Sequence, residues 1–277
     1  MSNGILKGKK GIIFGALNDK SIAWKVAEKA HAEGATFVLT NAPVAMRMGE
    51  INILAKACNN AQVIPCDVSK DEDMNNLITK SMEILGGKID FVLHSVGMSL
   101  NIRKDRDYTD VDYKWMHETF DISSISFHRL MQTCWKQDAI NDWGSIIALT
   151  YIGAQRIFPD YHEMGDAKTL LESFARGFGY RFGKAKKIRV NTISQSPTKT
   201  TAGMGVKALG DLFDYAAALS PLGNATAAEC ADYCIAMFSD YTRMVTMQNL
   251  FHDGGFSQTG FSHDVLKMID PKQDEQK

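Results

Sequence analysis

Three residues near the middle of the chain, Tyr151, Tyr161 and Lys168, have side chains that can assist a reduction. Lys168 follows Tyr161 by seven residues, so in a regular helix both side chains lie on one face, with α-carbons about 10 Å apart. A hydride acceptor develops negative charge on oxygen, and a phenol beside a fixed ammonium can donate a hydrogen bond or a proton to it. An ordinary tyrosine pKa of about 10 keeps the phenol protonated at neutral pH. The residue types therefore predict a proton-donating centre.

An isolated pair of this kind also has a purely structural interpretation. Tyrosines are common as amphipathic aromatics at the edge of a sheet, and a helix lysine is usually solvated. The elements around Tyr161 and Lys168 must decide between the two interpretations.

Short β-rich runs alternate along the chain with longer amphipathic stretches, which predicts a parallel sheet. The runs lack strict polar alternation, as expected when helices cover both faces of a sheet. We therefore predict an α/β fold, a single doubly wound Rossmann-type domain over residues 1–277. Its seven predicted strands are Gly11 to Phe14, Thr36 to Thr40, Val63 to Pro65, Asp90 to Ser95, Ser145 to Leu149, Ile188 to Ile193 and Met247 to His252.

Capping signals predict where two of the helices begin and end. Ser69 followed by Glu72 has the spacing of a capping box, and Gly86 with the next glycine would end that helix. Asp160 with Glu163 predicts the start of the helix that carries the tyrosine and lysine.

Composition excludes several classes of function. The 277 residues are 45% hydrophobic and 23% charged, as in ordinary globular proteins. A net charge of −1 gives no overall attraction to nucleic acid or to an anionic membrane. The start of the chain has no signal-peptide pattern and no run approaches a membrane span, which predicts a soluble cytoplasmic protein. The five cysteines are scattered, so we expect buried thiols and neither disulfides nor a metal site.

Several segments predict a dinucleotide site at the carboxyl edge of the sheet. Gly15 opens the turn from the first strand to the first helix, where backbone N–H groups can bind a pyrophosphate. Asp67 follows the third strand, and Ser95, Val96 and Gly97 follow the fourth, as adenine and ribose contacts would require. The first turn is not GxGxxG, so a turn glycine, a turn acid and a chain-releasing glycine remain alternatives.

Cofactor choice is usually set at the end of the second strand, where an acid binds the ribose 2′-hydroxyl. That position reads Thr40, Asn41, Ala42 and Pro43, with no acid, and Arg47 lies too far along the chain to select a 2′-phosphate. We favour NADH and leave NADPH open.

Residues 194–222 follow the carboxyl end of the sixth strand and combine glycines with threonines and a weak helical pattern. We interpret this segment as a substrate lid. The polar end, residues 271–277, is expected to fray.

The spaced motifs together resemble the bacterial enoyl-acyl-carrier-protein reductases, a divergent family of short-chain dehydrogenases/reductases. The resemblance runs from about Leu6 to Gln258. Its motifs are Gly15 with Ser21-Ile22-Ala23, Cys66-Asp67-Val68, His94-Ser95-Val96-Gly97, Asp121-Ile122-Ser123-Ser124, Tyr151 through Tyr161 to Lys168, and Asp253-Gly254-Gly255-Phe256.

The resemblance implies transfer of hydride from a nicotinamide to the β-carbon of a trans-2-enoyl thioester on acyl carrier protein, the last step of the fatty acid elongation cycle. Tyr161 would bond the enolate oxygen, Lys168 the ribose, and Tyr151 would line the substrate side. It also implies a homotetramer, for which the apolar segment Phe120 to Trp135 could supply a helix face. The implied cofactor contacts are Gly15, Ser21, Ile22, Asp67, Val68, Ser95, Val96, Gly97, Lys168 and Thr198.

The spacing of the tyrosine and lysine agrees with that implication. Carbonyl-reducing relatives of this fold place the two residues four apart, whereas Tyr161 and Lys168 are seven apart. In conjugate reduction the oxygen that gains charge lies further from the carbon that accepts the hydride, which is a rationale for the longer spacing.

Two segments depart from the family pattern. Gln195-Ser196-Pro197-Thr198 stands where relatives have Ala-Gly-Pro-Ile, and the basic cluster of the lid is reduced to Lys199 and Lys207 beside Asp211 and Asp214. A carbonyl or other enone reductase and a non-catalytic nucleotide sensor therefore remain alternatives. A second basic set could dock an acidic partner or simply complement a helix dipole; it comprises Arg181, Lys184, Lys186 and Lys187.

Overall fold

A seven-stranded parallel sheet forms the centre of the molecule, seen in a computed structural model that describes residues 3–47, 49–200 and 209–269. The strand order is β3-β2-β1-β4-β5-β6-β7. This arrangement confirms the predicted doubly wound α/β fold. The strands are β1 (Lys10–Phe14), β2 (Thr36–Asn41), β3 (Gln62–Pro65), β4 (Ile89–His94), β5 (Ile140–Thr150), β6 (Arg189–Gln195) and β7 (Asn249–His252).

Helices connect the strands and cover both faces of the sheet. They are α1 (Ile22–Ala32), α2 (Pro43–Met46), α3 (Glu50–Ala57), α4 (Asp71–Leu85), α5 (Leu100–Arg103), α6 (Tyr113–Phe120), α7 (Ser126–Lys136), α8 (His162–Lys186), α9 (Leu209–Leu219), α10 (Ala227–Phe238) and α11 (His263–Ile269). A π-helical segment, Asp121–Ile125, joins α6 to α7. No helix in the described ranges is long and apolar enough to cross a membrane.

Two apolar cores lie on opposite faces of the sheet, and successive strand residues alternate between them. Ile13 and Leu93 belong to the core beneath α1 and α10, while Ile12 and Val92 belong to the core beneath α4, α7 and α8. Both sets are fully buried, which explains the missing polar alternation of the strands. All five cysteines are free and buried, as predicted.

Two of the three predicted helix boundary signals were wrong. Helix α4 begins after Lys70 without a side-chain cap, because the Ser69 hydroxyl donates to Asp67 Oδ1 at 2.6 Å instead. Helix α8 begins at His162 rather than at Asp160, which lies in a preceding 3₁₀ turn. The predicted glycine end of α4 is confirmed, since Gly86 caps it with φ of 66°.

Strands β1 and β4 are neighbours at the point where the strand order reverses, which is where such sheets bind ligands. Gly15 leaves β1 with φ of +93°, and a Cβ on it would lie 2.0 Å from the carbonyl oxygen of Ser95. Only glycine allows this close approach of the two strand exits. The predicted ligand crevice therefore lies at the expected edge of the sheet.

Candidate functional site

A cavity of about 260 Å³ opens at the carboxyl edge of the sheet. Eight of the predicted site residues line it, including all three residues predicted to be catalytic: Ile22, Ser95, Val96, Gly97, Tyr151, Tyr161, Lys168 and Thr198. Its other described lining residues are Met98, Ser99, Ile102, Arg103, Leu149, Thr150, Met164, Gln195, Ser196, Pro197, Thr200 and Leu212. The structure thus brings together residues that are scattered along most of the chain.

Two glycines allow the tyrosines to meet. A Cβ on Gly153 would lie 2.7 Å from the Tyr161 ring and 3.0 Å from the Tyr151 ring. A Cβ on Gly165 would lie 2.8 Å from the Gly153 carbonyl oxygen. The turn after β5 and the first turn of α8 can therefore pack closely. The two rings stand edge to face, 5.0 Å between centroids.

The backbone between Tyr161 and α8 is strained. Tyr161 ends the 3₁₀ turn Pro159–Tyr161 rather than opening a regular helix, and His162 has φ of 39° and ψ of −140°. A non-glycine residue in this region costs free energy, which surrounding contacts must supply. The seven-residue spacing still directs Tyr161 and Lys168 to one cavity, although they do not lie on one regular helix.

Both phenols are suited to donate hydrogen bonds. Burial raises the pKa of Tyr151 and of Tyr161 above the ordinary tyrosine value, so both remain protonated at neutral pH. The Tyr151 hydroxyl is buried and has no hydrogen-bond partner among the residues that the structure describes. A buried donor of this kind is costly unless a ligand accepts from it.

Lys168 is buried, and its Nζ donates to the carbonyl oxygen of Leu149 at 2.9 Å. Desolvation lowers its pKa to about 8, while the charge of Glu172 acts in the opposite direction. Glu172 lies one helical turn further along α8 and accepts from the Thr150 hydroxyl at 2.9 Å. At neutral pH the lysine therefore remains largely an ammonium, which bonds to a backbone carbonyl and is favoured by the charge of Glu172.

The turn after β1 is organised for a dinucleotide. The Ser21 hydroxyl accepts from the N–H groups of Leu17 and Asn18, at 3.2 Å each. Ile22 begins α1, whose free N-terminal N–H groups can bind phosphate. With the close backbone contact at Gly15, these features fit a pyrophosphate at this turn. Gly15 and Ser21 lie outside the lining of the cavity itself.

Asp67 and Val68 also lie outside the lining of the cavity. The Asp67 carboxylate accepts from the N–H and hydroxyl of Ser69 and lies 3.5 Å from Lys70 Nζ. Burial raises its pKa, but these partners outweigh it and the net shift is downward. The arrangement is that of the turn acid left open as an alternative, and the adenine role of Asp67 and Val68 stays a prediction.

The end of β2 carries no acid that could select a ribose 2′-hydroxyl. Asn41 stands there, with its Nδ2 donating to the Ala16 carbonyl at 3.0 Å and its Oδ1 accepting from Ala42 N–H at 2.8 Å. Its side chain thus ties the end of β2 to the turn after β1.

The segment that follows Gly97 is held by the π-helical segment. The Ser123 hydroxyl accepts from Met98 N–H at 3.0 Å and lies 3.2 Å from the Met98 carbonyl oxygen. Ser124 donates to the Ala167 carbonyl at 2.6 Å. The motif at Asp121 to Ser124 therefore connects the segment after β4 to α8. π-Helical segments are frequent at functional sites.

Three polar residues depart from the family pattern here, and they bond largely to one another and to the elements behind them. Gln195 Oε1 lies 2.7 Å from His252 Nδ1, and Gln195 Nε2 donates to the Thr198 hydroxyl at 3.3 Å. The Ser196 hydroxyl accepts from Ala225 N–H at 2.8 Å. Their polarity is thus largely accommodated within the protein, and Thr198 reaches the cavity from this network.

Sequence reasoning missed two buried carboxyl groups behind the cavity. Glu163 was interpreted as a capping residue, but it is fully buried and its Oε1 accepts from Ser99 Oγ at 2.7 Å. Glu172 could have been found, because a carboxyl group four residues after a functional lysine lies on the same helix face. No sequence signal connects Glu163 to Ser99, which is distant along the chain.

The lid prediction, residues 194–222, is only partly described by the structure. Its start belongs to β6 and its end contains α9. Residues 201–208, with Lys207, and the tail at 271–277 lie outside the described residues. Lys199 is exposed and lies 4.2 Å above the Phe213 ring.

Comparison with known proteins identifies relatives over nearly the whole chain. A family model described as enoyl-(acyl carrier protein) reductase matches residues 15–257. A curated relative from Rhizobium meliloti, enoyl-[acyl-carrier-protein] reductase [NADH] 2, is 31% identical over 97% of this chain and 99% of its own length.

Solved structures give the same answer. The FabI–NADH complex from Alistipes finegoldii superposes with a TM-score of 0.94 at 59% identity, covering 95% of this chain and 93% of that one. An enoyl-(acyl-carrier-protein) reductase from Anaplasma phagocytophilum in complex with NAD has a TM-score of 0.87 at 31% identity, covering 95% of this chain and 99% of that one.

Proposed function

We propose an activity for this chain from its family, because it belongs to the enoyl-(acyl carrier protein) reductases. It reduces the trans-2 double bond of enoyl thioesters on acyl carrier protein with hydride from NADH. The reaction is the last step of the fatty acid elongation cycle. The observation that carries the proposal is the convergence of Tyr151, Tyr161 and Lys168 on one cavity at the carboxyl edge of the sheet.

Tyr161 is proposed to donate its proton, or a strong hydrogen bond, to the thioester oxygen as charge develops on it. Its raised pKa keeps the proton in place until that charge appears. Tyr151, whose hydroxyl has no hydrogen-bond partner in the described ranges, supplies a second donor on the substrate side. Two phenols in a partly closed cavity stabilise an enolate better than water would, because they are already oriented.

Lys168 is proposed to hold the ribose of the cofactor and to add positive charge near the reacting groups. Its ammonium already lies beside Gly97, since a Cβ on that glycine would be 3.7 Å from Nζ. Glu172 accepts a hydrogen bond from Thr150 at the end of β5 and favours the charged form of the lysine. Glu172 thus acts as a positioning residue.

The cofactor, when bound, supplies the hydride. We propose that the turn at Gly15 and Ser21 with Ile22 holds its pyrophosphate, and that Ser95, Val96, Gly97 and Thr198 hold the nicotinamide half. Asp67 and Val68 would lie at the adenine end. NADH is the cofactor named for the relatives, and the end of β2 carries no base in position to select a 2′-phosphate.

The proposed activity is tested by following the loss of NADH absorbance with crotonyl and longer enoyl thioesters, with NADPH in parallel. Oxidation of NADH by the thioesters, with little turnover of simple ketones, is the expected result. Turnover of ketones alone would make the protein a carbonyl reductase. Nucleotide binding without turnover of any chain length would make it a nucleotide sensor.

We further propose that the chain works as one domain, in the cytoplasm, as a homotetramer that receives its substrate from acyl carrier protein. Exposed aromatic residues on α7 and α8 support the assembly, because Trp135 is 47% and Tyr180 57% exposed. Light scattering should give four times the chain mass of 30.7 kDa. A mass of one or two chains would contradict the tetramer.

A further inference from the structure

The described lining of the cavity carries two charged side chains, and both are cations. Lys168 is buried at the chemical end and bonds to Leu149. Arg103 is exposed and has no ion pair with any residue that the structure describes. No carboxylate belongs to the described lining. An anionic group entering the cavity would therefore meet a guanidinium that forms no ion pair within the described part of the chain.

Arg103 extends from a rigid support. Its helix, α5, is only four residues long and would be unstable alone. Glu163 Oε1, fully buried, accepts from Ser99 Oγ at 2.7 Å and from Asn101 Nδ2 at 3.1 Å. The Ser99 hydroxyl also caps the helix at Ile102 N–H.

Ile102, the residue before Arg103, anchors α5 to the cavity wall. Ile102 is buried in a cluster with Met164 and Ala167, and Tyr161 packs against that cluster. The backbone of Arg103 is thus fixed relative to the proposed proton donor. With the backbone fixed, only the side chain of Arg103 has to be ordered on binding, which lowers the entropic cost.

The cations near Arg103 differ from it. Arg106 is paired with Asp110 at 3.0 Å and lies over the Trp115 ring. Lys104 is exposed beside Arg103 but does not line the cavity. Arg103 therefore differs from these neighbouring cations in that it lines the cavity. Lys104, an exposed cation outside the lining, provides a matched control for substitution of Arg103.

We propose that Arg103 is an anion subsite at the rim of the cavity and binds the phosphate ester in the prosthetic arm of the carrier-bound substrate. This inference rests on the proposed function, since it assumes a thioester substrate. A guanidinium binds phosphate oxygens through two parallel N–H donors, which suits this ligand. The cofactor is the other source of phosphate, but the turn at Gly15 and Ser21 that suits its pyrophosphate lies outside the lining.

The test compares two crotonyl thioesters that differ only in the phosphate, phosphopantetheine and pantetheine, with wild type, R103Q, R103K and K104Q. We expect R103Q to raise the KM for the phosphorylated thioester about three- to tenfold, as an exposed charged hydrogen bond implies. The kcat and the KM for the unphosphorylated thioester should stay unchanged. R103K should restore part of the loss, and K104Q should behave like wild type.

Other outcomes would overturn the proposal. Equal KM changes for both thioesters would mean that Arg103 supports the cavity wall. No change for either would mean that it binds nothing. A raised KM for NADH alone would assign the anion to the cofactor. Failure of wild type to reduce either thioester would instead overturn the proposed function, and with it this subsite.

Discussion

The cavity wall that carries Tyr151, Tyr161 and Lys168 comes from one stretch of chain, whereas the wall that carries Gln195 to Thr198 is fixed by distant residues. The first wall is the exit of β5 and the start of α8, packed through Gly153 and Gly165. The second depends on bonds from His252 and Ala225. The chemical groups are thus fixed by local packing, whereas the residues that depart from the family pattern are fixed by long-range polar contacts.

The largest effect is expected at the first wall. Tyr161→Phe removes the proposed proton donor while keeping the ring that packs on Tyr151, so kcat should fall by about 10²- to 10⁴-fold. Binding of NADH, measured by fluorescence titration, should change little. Tyr151→Phe is the matched control and should cost less, because its hydroxyl supplies only the second donor. Equal losses in both variants would contradict the assignment of roles.

The pH dependence of the first wall should be nearly as large. Desolvation lowers the Lys168 pKa to about 8, so the ammonium is present below that pH and is lost as pH rises through it. We therefore expect kcat/KM for NADH to fall up to about tenfold per pH unit above the transition. Lys168→Met should be slow at all pH values and lack this transition. An unchanged alkaline limb in the variant would show that another group titrates.

Crowding the two tyrosines should have a smaller effect. Gly153→Ala would place a Cβ 2.7 Å from the Tyr161 ring, so we expect kcat to fall about tenfold and stability to fall by about 1–3 kcal/mol. Gly183→Ala in α8 is the control, because a Cβ there would lie 3.8 Å from the carbonyl oxygen of Ile188, an ordinary contact. Denaturant titration and turnover measure the two effects. A fully active Gly153→Ala protein would mean that the tyrosine positions are not critical.

The smallest effect is expected at the second wall. Gln195→Ala removes the link between His252 and Thr198, and a single neutral hydrogen bond of this kind contributes about 0.5–1.5 kcal/mol. The KM for NADH should rise about two- to tenfold, with kcat nearly unchanged. Thr198→Val should have a similar effect if the network acts through that residue. A loss in Gln195→Ala as large as that of Tyr161→Phe would remove the distinction between the two walls.

Much of the fold could be predicted, because strand and helix periodicity is a local property. All seven strands lie where the apolar runs were found, and no strand end is shifted by more than five residues. The start of α8 was predicted wrongly, because Asp160 lies in a 3₁₀ turn before the helix, and no local pattern reveals that turn. The strained His162 backbone is likewise set by tertiary packing.

The site was predictable where its residues lie close together along the chain or follow one strand. Tyr161, Lys168 and the residues after β4 were identified in this way. Glu163 and His252 could not be, because their partners Ser99 and Gln195 are 64 and 57 residues away. A buried carboxyl group or imidazole has no sequence signature until the fold supplies its partner.

The central claim is that hydride reaches the β-carbon of an enoyl thioester. The most direct test uses NADH deuterated at both positions of nicotinamide C4, with a crotonyl thioester, and locates the label in the product by NMR. One deuterium at C3 of the butyryl thioester is the predicted result. Deuterium on the carbonyl carbon, or a product without label, would contradict the account.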